Sequence, residues 1–264
     1  MKLTEINIYP IKSTRRIALE HAVVEPRGLM FDRRWMLIDS RGDFITARQE
    51  PMLATVETAL NNDFLTVSGG NQSALRIPLH PDGSSIKSTI WQDTVNAVVV
   101  SEAADQWFSD FIKQPCRLVC LPDSVTRQVD QQYGQPQDQV SFADGFPLLL
   151  ISQASLDDLN GRLEGPVSMR RFRPNVVVSG CEPFAEDNWQ RIRIGEVEFA
   201  GVKACSRCIF TTIDPDTGTK DPRQEPLRTL GTYRRREKGV FFGLNLIPMG
   251  AGNLRVGDRV NLCH

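Results

Sequence analysis

Histidine is scarce in this sequence, and neither sign of charge is in excess. Three histidines are spread along 264 residues, and 31 lysines and arginines nearly balance 32 aspartates and glutamates, which gives a net charge of −1. A chain so close to neutral has no overall field that would attract nucleic acid or an anionic membrane surface. We therefore expect neither a nucleic acid nor a membrane among its partners.

Long apolar stretches, phosphate-binding glycine motifs and internal repeats are also lacking. No run of residues approaches the length that spans a bilayer, and the N-terminus has no apolar segment like that of a secretory signal. Neither the glycine fingerprint of dinucleotide-binding folds nor a P-loop occurs. The six cysteines do not form a disulfide pattern and suit a reducing compartment. We expect a soluble, cytoplasmic protein that is long enough for one large or two modest domains.

The most reactive feature of the sequence is a pair of cysteines, Cys205 and Cys208, with Arg207 between them. A neighbouring cation favours the thiolate, which is the reactive form of cysteine. Thiolates are soft ligands that suit copper, zinc, iron–sulfur and molybdenum centres. An apolar, β-branched run follows the pair, so we predict that these thiols lie on a loop that enters a strand.

Three kinds of site remain open for these thiols. A zinc or cluster site needs a second cysteine pair or histidines at ligand spacing, and the other cysteines and the histidines are scattered. A thioredoxin-like dithiol needs a helix after the second cysteine, where we predict a strand. In the third kind of site, a single thiolate completes the shell of a cofactor that brings its own ligands.

Short apolar segments separated by polar turns predict a mainly β fold with a few helices (α+β). Four such segments alternate with turn residues between Ala54 and Val100, which is typical of a barrel or a sandwich. Ser101 and Ser152 each precede apolar residues at helical spacing and predict two helix N-termini. The segment 189–202 predicts a β-hairpin. Apolar residues become few between Pro122 and Asp138, so we place a domain boundary nearby.

Several separated motifs resemble those of the MOSC family, named for the C-terminal domain of molybdenum-cofactor sulfurase. They are Tyr-Pro-Ile-Lys-Ser at 9–13, Phe-Arg-Pro-Asn at 172–175, and Cys-Ser-Arg-Cys-Ile-Phe-Thr-Thr at 205–212 followed by Asp-Pro-Asp-Thr-Gly. The resemblance covers nearly the whole chain and is strongest to the YcbX-like and mitochondrial amidoxime-reducing branches. It implies a β-rich MOSC N-terminal domain at 1–121 combined with a β-barrel MOSC domain at 122–264.

The resemblance also implies a molybdenum cofactor in its molybdopterin form, with Cys208 as the single protein ligand of the metal. The residues implied to contact the cofactor are Lys12, Ser13, Arg33, Arg173, Asn175, Cys205, Ser206, Arg207 and Asn245. For Arg33, an ion pair with Asp32 is an equal alternative. Asp214, the nearest carboxylate in sequence, is a candidate catalytic proton relay, and capping of a turn is at least as good an interpretation.

The implied activity is reductive cleavage of N–O bonds in hydroxylamines, amidoximes and N-hydroxylated bases. The chain has no cysteine set for an iron–sulfur cluster, so we expect electrons from a separate flavin or iron–sulfur reductase. Pyridoxal-phosphate binding is a further property associated with the family. Two alternatives remain: a carrier of molybdenum cofactor or sulfur that uses the Cys205–Cys208 loop, and a β-barrel binding module in which the cysteines are structural.

Overall fold

The computed structural model describes residues 1–236 and 239–263, and it is mainly β with a few helices, which confirms the predicted fold class. The α-helices in the described residues are α1 (Glu102–Ile112), α2 (Gln153–Asn160) and α3 (Leu227–Tyr233). Short 3-10 turns occupy Pro51–Thr55, Met169–Arg171, Ala185–Asn188 and Ile209–Thr212. No helix of the described chain combines the length and the apolar character that crossing a membrane requires.

The strands are numbered in chain order. The first part of the chain contains β1 (Lys2–Ile8), β2 (Ile17–Leu19), β3 (His21–Glu25), β4 (Gly28–Leu29), β5 (Trp35–Ile38), β6 (Phe44–Ile45), β7 (Glu57–Leu60), β8 (Phe64–Ser68), β9 (Leu75–Pro78), β10 (Ser85–Ile90), β11 (Asp93–Val99) and β12 (Arg117–Cys120). The second part contains β13 (Leu148–Ser152), β14 (Val176–Ser179), β15 (Arg191–Ile194), β16 (Val197–Arg207), β17 (Arg235–Arg236), β18 (Gly239–Pro248), β19 (Gly252–Arg255) and β20 (Val260–Leu262).

Strand pairing crosses between the two parts of the chain. In the described residues the largest sheet has the order β2-β1-β14-β13-β18-β16-β15-β20, with β17 also paired to β18. The N-terminal strand β1 therefore lies beside β14, and β3 pairs with β19 in a separate three-stranded sheet. A five-stranded sheet, β10-β11-β12-β5-β6, comes entirely from the first part. Because β1 and β3 pair with strands from the second part of the chain, strand pairing does not itself mark a boundary at residue 121. The proposed division there stays a prediction.

The apolar strand β5 is buried on both faces, as its sequence predicts. Trp35, Met36, Leu37 and Ile38 all have exposed fractions of 0%. Consecutive side chains of a strand point to opposite faces, so full burial requires packing on both sides of the sheet. Trp35 and Leu37 pack in one apolar cluster, whereas Met36 and Ile38 pack in another. Because β5 is fixed in this way, the residues just before it, including Arg33, are held in place.

The predicted helix starts and hairpin are confirmed. The hydroxyl of Ser101 accepts a hydrogen bond from the amide of Ala104 at the start of α1, and the hydroxyl of Ser152 accepts one from Ser155 at the start of α2. Each bond satisfies an amide that has no partner within the helix. In the hairpin, β15 and β16 pair in the register that the apolar residues predict, and the hairpin delivers the chain to the cysteine pair.

The prediction that the cysteine pair enters a strand is wrong. Cys205 and Arg207 lie at the end of β16, and a 3-10 turn, Ile209–Thr212, follows Cys208. The hydroxyls of Thr211 and Thr212 donate to the carbonyl oxygens three residues earlier, at 3.0 and 2.8 Å. Such local side-chain bonds compete with a strand ladder. The thiols therefore lie where a strand ends and turns.

Candidate functional site

An open cavity of about 270 Å³ lies at the C-terminal end of β16. It brings together ten of the eleven residues selected from the sequence: Lys12, Ser13, Arg33, Arg173, Asn175, Cys205, Ser206, Arg207, Cys208 and Asn245. These residues come from separate segments that meet only in the folded protein. Asp214 does not line the cavity.

The cavity is strongly cationic although the chain is nearly neutral. Its cationic side chains are Lys12, Arg33, Arg48, Arg171, Arg173, Lys203 and Arg207. Within the described chain, Asp144 is the only carboxylate-bearing residue in this lining. Such a concentration of one charge in a concave site focuses an attractive field on an anion. Arginine in particular suits the planar, two-point recognition of phosphate.

The two thiols are bound by different arginines. Nη1 of Arg207 lies 2.9 Å from Sγ of Cys205, whereas Nε of Arg48 lies 3.4 Å from Sγ of Cys208. Both cysteines are half-buried. Each sulfur therefore has a guanidinium as its hydrogen-bond donor. The sequence places Arg207 beside the cysteines, but it does not single out Arg48 as a partner of Cys208.

An ion pair between the buried Lys12 and the exposed Asp144 connects Arg48, the hydrogen-bond partner of Cys208, to the opposite wall. Asp144 accepts hydrogen bonds from Nζ of Lys12 at 2.5 Å and from Nη2 of Arg48 at 2.5 Å. Desolvation raises the pKa of Asp144. The charges of Lys12 and Arg48 and their hydrogen bonds have a larger, opposite effect, so the pKa lies well below its ordinary value. Burial lowers the pKa of Lys12 to about 8, although Asp144 opposes this shift. Arg127 holds the segment in place by donating to the carbonyl oxygens of Ser141 and Ala143.

Arg33 and Arg173 pack against one aromatic ring on another wall. Their guanidinium carbons lie 4.2 and 4.1 Å from the ring centroid of the buried Tyr9. Arg33 also donates to Asp32 at 2.6 Å and to the side-chain oxygen of Asn175 at 3.0 Å. Both expected roles of Arg33 are thus compatible, since it pairs with Asp32 and lines the cavity. Burial lowers the pKa of Arg173 to about 10.

The side chain of Asn175 is hydrogen-bonded to other groups of the protein. Its amide nitrogen donates to the carbonyl oxygen of Asn7, and its oxygen accepts from the amide of Leu149 as well as from Arg33. It therefore joins neighbouring strands and orients Arg33. This is a positioning role, and contact with a ligand would be in addition to it.

Three residues of the lining have a left-handed backbone. The φ angles are 77° for Ser13, 49° for Arg33 and 58° for Arg173. Residues other than glycine adopt this region rarely, and such residues cluster at ligand sites and active sites. Their occurrence together in one cavity supports its assignment as the functional site.

Asp214 lies in a turn behind the cavity. Its carboxylate accepts hydrogen bonds from the amides of Asp216 and Thr217, at 2.9 and 3.1 Å, and from Nη2 of Arg171 at 3.1 Å. These bonds are those of a turn-capping residue. Arg171 in turn donates to the carbonyl oxygen of Thr212, so this pair supports the turn that follows Cys208.

Trp91 stands at the entrance and was not selected from the sequence. It occupies the tight turn between β10 and β11 with a φ of 55°, and 48% of its surface is exposed. Its indole nitrogen donates to Asp144 at 3.3 Å, and the guanidinium of Arg48 lies 5.0 Å from its ring centroid. An exposed aromatic ring thus stands beside Asp144 and beside Arg48, which donates to the thiol of Cys208.

The cysteines outside the pair are in different surroundings. Burial raises the pKa of Cys116 to about 11 and that of Cys120 to about 12. Both are buried, as the sequence predicts for unreactive thiols. Within residues 1–236 and 239–263, no three His, Cys, Asp or Glu side chains come together as a metal-binding group.

The residues of the cavity fit a guest that is anionic and carries a soft metal. Cys208 offers a sulfur atom as a metal ligand, and the surrounding cations offer donors to phosphate. Nε of Arg207 is buried without a hydrogen-bond partner in the described structure, although its residue lines the cavity. A buried donor without a partner is costly, and a ligand acceptor would satisfy it.

Anion binding to the cavity should weaken as the pH rises through about 8. The pKa of Lys12 in the folded protein is about 8, so its positive charge is present below that pH and is lost above it. We expect the affinity for pyrophosphate, measured by calorimetry, to fall about tenfold between pH 7 and pH 9.5.

The variant Lys12→Met separates this effect from the titration of other groups. At pH 7 the variant should bind pyrophosphate more weakly than the unmodified protein does. Its affinity should also change much less between pH 7 and pH 9.5. Equal slopes for the two proteins would show that Lys12 is not the group responsible.

Comparisons with known proteins show the family of this chain. A family model described as the MOSC N-terminal beta barrel domain matches residues 1–115, and one described as the MOSC domain matches residues 137–261. Mitochondrial amidoxime-reducing component 1 of Mus musculus is 38% identical over 278 residues, which cover 98% of this chain and 82% of the relative. The protein of the same name from Homo sapiens is 37% identical, with the same coverage.

Among solved structures, the YuaD protein of Bacillus subtilis aligns with 98% of this chain and 93% of its own at 11% identity, with a TM-score of 0.42, which is too low to support an inference. The names of the relatives place them in mitochondria, so the cytoplasmic location stays a prediction, and none of these names refers to pyridoxal phosphate. With both domains matched and full-length relatives at this identity, the chain belongs to the MOSC family, among the relatives of the amidoxime-reducing components.

Proposed function

We propose that the cationic cavity binds the molybdenum cofactor in its molybdopterin form and that the protein reduces N-hydroxylated compounds. The substrates are hydroxylamines, amidoximes and N-hydroxylated bases, and the electrons come from a separate flavin or iron–sulfur reductase. The observation that carries the proposal is the half-buried thiol of Cys208, bonded to Arg48 in a cavity rich in cations. The names of the relatives support the substrate class.

The residues divide by what they can bind. Cys208 would supply the thiolate ligand, while Lys12, Arg33 and Arg173 would bind the anionic and pterin parts of the cofactor. Arg207 holds Cys205 and the carbonyl oxygen of Phe172, at 2.6 Å for the latter, and so keeps the end of β16 in place. When bound, the cofactor would supply the two electrons that reduce the substrate.

Protons for the reaction must come from groups that this chain provides. Cleavage of an N–OH group by two electrons takes up two protons and releases water. Asp144 is deprotonated at neutral pH and accepts three hydrogen bonds, so it holds donors in place and does not store a proton. Nζ of Lys12, with a pKa of about 8, carries a proton at neutral pH and can release it. We assign the proton-donating role to Lys12, since Asp214 lies outside the cavity.

The test is to purify the protein from a host that makes molybdopterin and to measure both molybdenum and turnover. We expect close to one molybdenum per chain, little reduction of benzamidoxime with NADH or NADPH alone, and turnover after a flavin or iron–sulfur reductase is added. Absence of molybdenum and of N–O reduction with every donor would overturn the proposal.

One outcome would favour the carrier function instead. A molybdenum cofactor that exchanges readily into a cofactor-free enzyme, without any N–O reduction, indicates transfer of the cofactor. The pairing of Cys205 with Arg207 is the observation that favours this alternative, since a second thiol with its own cationic partner would suit a persulfide.

Trp91 should contribute to the binding of planar substrates. The ring is exposed at the entrance, so it offers a stacking surface to aromatic amidoximes and N-hydroxylated bases. We expect Trp91→Ala to raise the KM for benzamidoxime about five- to tenfold with little change in kcat. Hydroxylamine itself has no ring, and its KM should change less than twofold or so.

The matched variant is Trp91→Phe, which keeps a ring but loses the hydrogen bond to Asp144. It should retain most of the affinity for benzamidoxime. If hydroxylamine and benzamidoxime lose affinity equally in Trp91→Ala, the ring only supports Asp144 and is not a binding surface.

A further inference from the structure

A second cavity, of about 240 Å³, is lined by Arg34, the neighbour of Arg33 in sequence. Its lining shares no residue with that of the cationic cavity. Apolar walls come from four places: the segment before β5, the residues after β9, strand β11 and the end of β12. Met30, Phe31, Leu79, Val98 and Leu121 supply most of this surface.

Two buried hydrogen-bond donors of this lining have no partner. They are Nη1 of Arg34 and Nε1 of Trp35, which lack an acceptor anywhere in residues 1–236 and 239–263. The exposed fraction is 6% for Arg34 and 0% for Trp35. Nearly all buried polar groups in proteins are hydrogen-bonded, so two orphans beside one cavity call for an acceptor from outside the chain.

Arg34 faces two carboxylates of the same lining, Glu25 and Asp123, but only Glu25 lies within hydrogen-bond distance of its guanidinium. Nη2 of Arg34 pairs with Glu25, but Nη1 is 3.9 Å from the nearest oxygen of Asp123, whose side chain is 82% exposed. Asp123 also lies 3.9 Å from Arg27. A pair at that distance with one partner in solvent is weak. An anionic group inside the cavity would be a better partner for Nη1 than Asp123 is.

We propose that this second cavity binds a small molecule with an apolar body and a carboxylate head. The carboxylate accepts hydrogen bonds from Nη1 of Arg34 and Nε1 of Trp35, and the body packs on the walls formed by Phe31, Leu79 and Val98. Both donors come from residues of this lining, and a carboxylate has enough lone pairs for both. This site is separate from the cationic cavity and does not depend on the cofactor assigned there.

Sodium benzoate is a suitable probe, and its binding to the purified protein is measured by isothermal titration calorimetry. We expect a dissociation constant of about 1 mM or tighter. Benzylamine, which has the same ring and the opposite charge, should not bind measurably. Arg34→Gln should weaken benzoate binding at least about tenfold, because a charged hydrogen bond is lost.

Two further variants decide where benzoate binds. Val98→Phe places a ring in the cavity and should abolish binding without removing a charge, which keeps the test valid if Arg34→Gln does not fold. The matched control is Arg41→Gln, whose arginine is 78% exposed and outside both cavities, and its affinity should equal that of the unmodified protein. Unchanged affinity in both Arg34→Gln and Val98→Phe would place benzoate in the cationic cavity and overturn the proposal, as would the absence of any binding.

Discussion

Replacing Cys208 by serine should remove molybdenum from the protein and lower the reduction of N-hydroxylated compounds at least about 1,000-fold. The sulfur of Cys208 lies in the cationic cavity, at 3.4 Å from Nε of Arg48. A serine hydroxyl is a hard donor that stays protonated at neutral pH, so it cannot replace a soft thiolate as a metal ligand. Elemental analysis and benzamidoxime turnover with an added reductase measure the two losses separately.

Cys205→Ser and Cys263→Ser are the controls for this prediction. Cys205 lines the same cavity but is bonded to Arg207, so its replacement should leave molybdenum in place and reduce turnover only a few-fold. Cys263 is remote from the cavity lining and should have no effect on either measurement. Full molybdenum content and activity in Cys208→Ser would refute the assignment of the ligand, whatever Cys205→Ser shows.

The elements that local sequence determines were predictable. A serine before a helical apolar pattern gives the N-terminus of α1 and of α2, because the capping bond is made within three residues. The hairpin of β15 and β16 follows from alternating apolar residues around Gly195. The prediction of a strand after Cys208 is wrong for a reason that is also local. Thr211 and Thr212 favour a strand by propensity, but their hydroxyls donate to the carbonyl oxygens of Cys208 and Ile209.

The partners of the site residues were harder to predict. Arg48 is 160 residues from Cys208 in sequence and 96 from Asp144, yet it bonds to both side chains. Nothing in the pattern around Arg48 indicates this, because the contact depends on how the sheets are placed. Asp214 shows the converse. It is only six residues from Cys208 in sequence, but its carboxylate caps a turn and does not line the cavity.

The resemblance to family motifs identified cavity residues that local sequence patterns did not. It selected Lys12, Arg33 and Arg173, which lie on segments far apart in sequence and line one cavity in the structure. The turn that carries Trp91 bears no such motif, and its role follows only from its position at the entrance. Asp144 lies outside these motifs as well, and its importance follows from its ion pairs with Lys12 and Arg48.

Replacing Asp144 by asparagine should destabilise the protein and, at the same time, tighten its binding of anions. Only 7% of the Lys12 side chain is exposed, so loss of its partner leaves a buried charge without compensation. Breaking a buried pair in this way is strongly destabilising. Because the carboxylate of Asp144 is itself 53% exposed and Lys12 can release its proton, we expect a smaller loss of about 2 to 3 kcal/mol in the free energy of unfolding.

The gain in anion affinity follows from the same charges. Asp144 is the one carboxylate described in the lining and competes with any anion for Lys12 and Arg48, so its neutralisation frees both cations. Denaturation in urea, with and without pyrophosphate, measures both effects: the variant should start lower and gain more from the anion than the unmodified protein does. Glu164→Gln removes an exposed partner of Arg223 and should change stability by less than about 0.5 kcal/mol. A loss of stability in Asp144→Asn that pyrophosphate does not reduce would mean that Asp144 shapes the cavity wall and does not balance its charge.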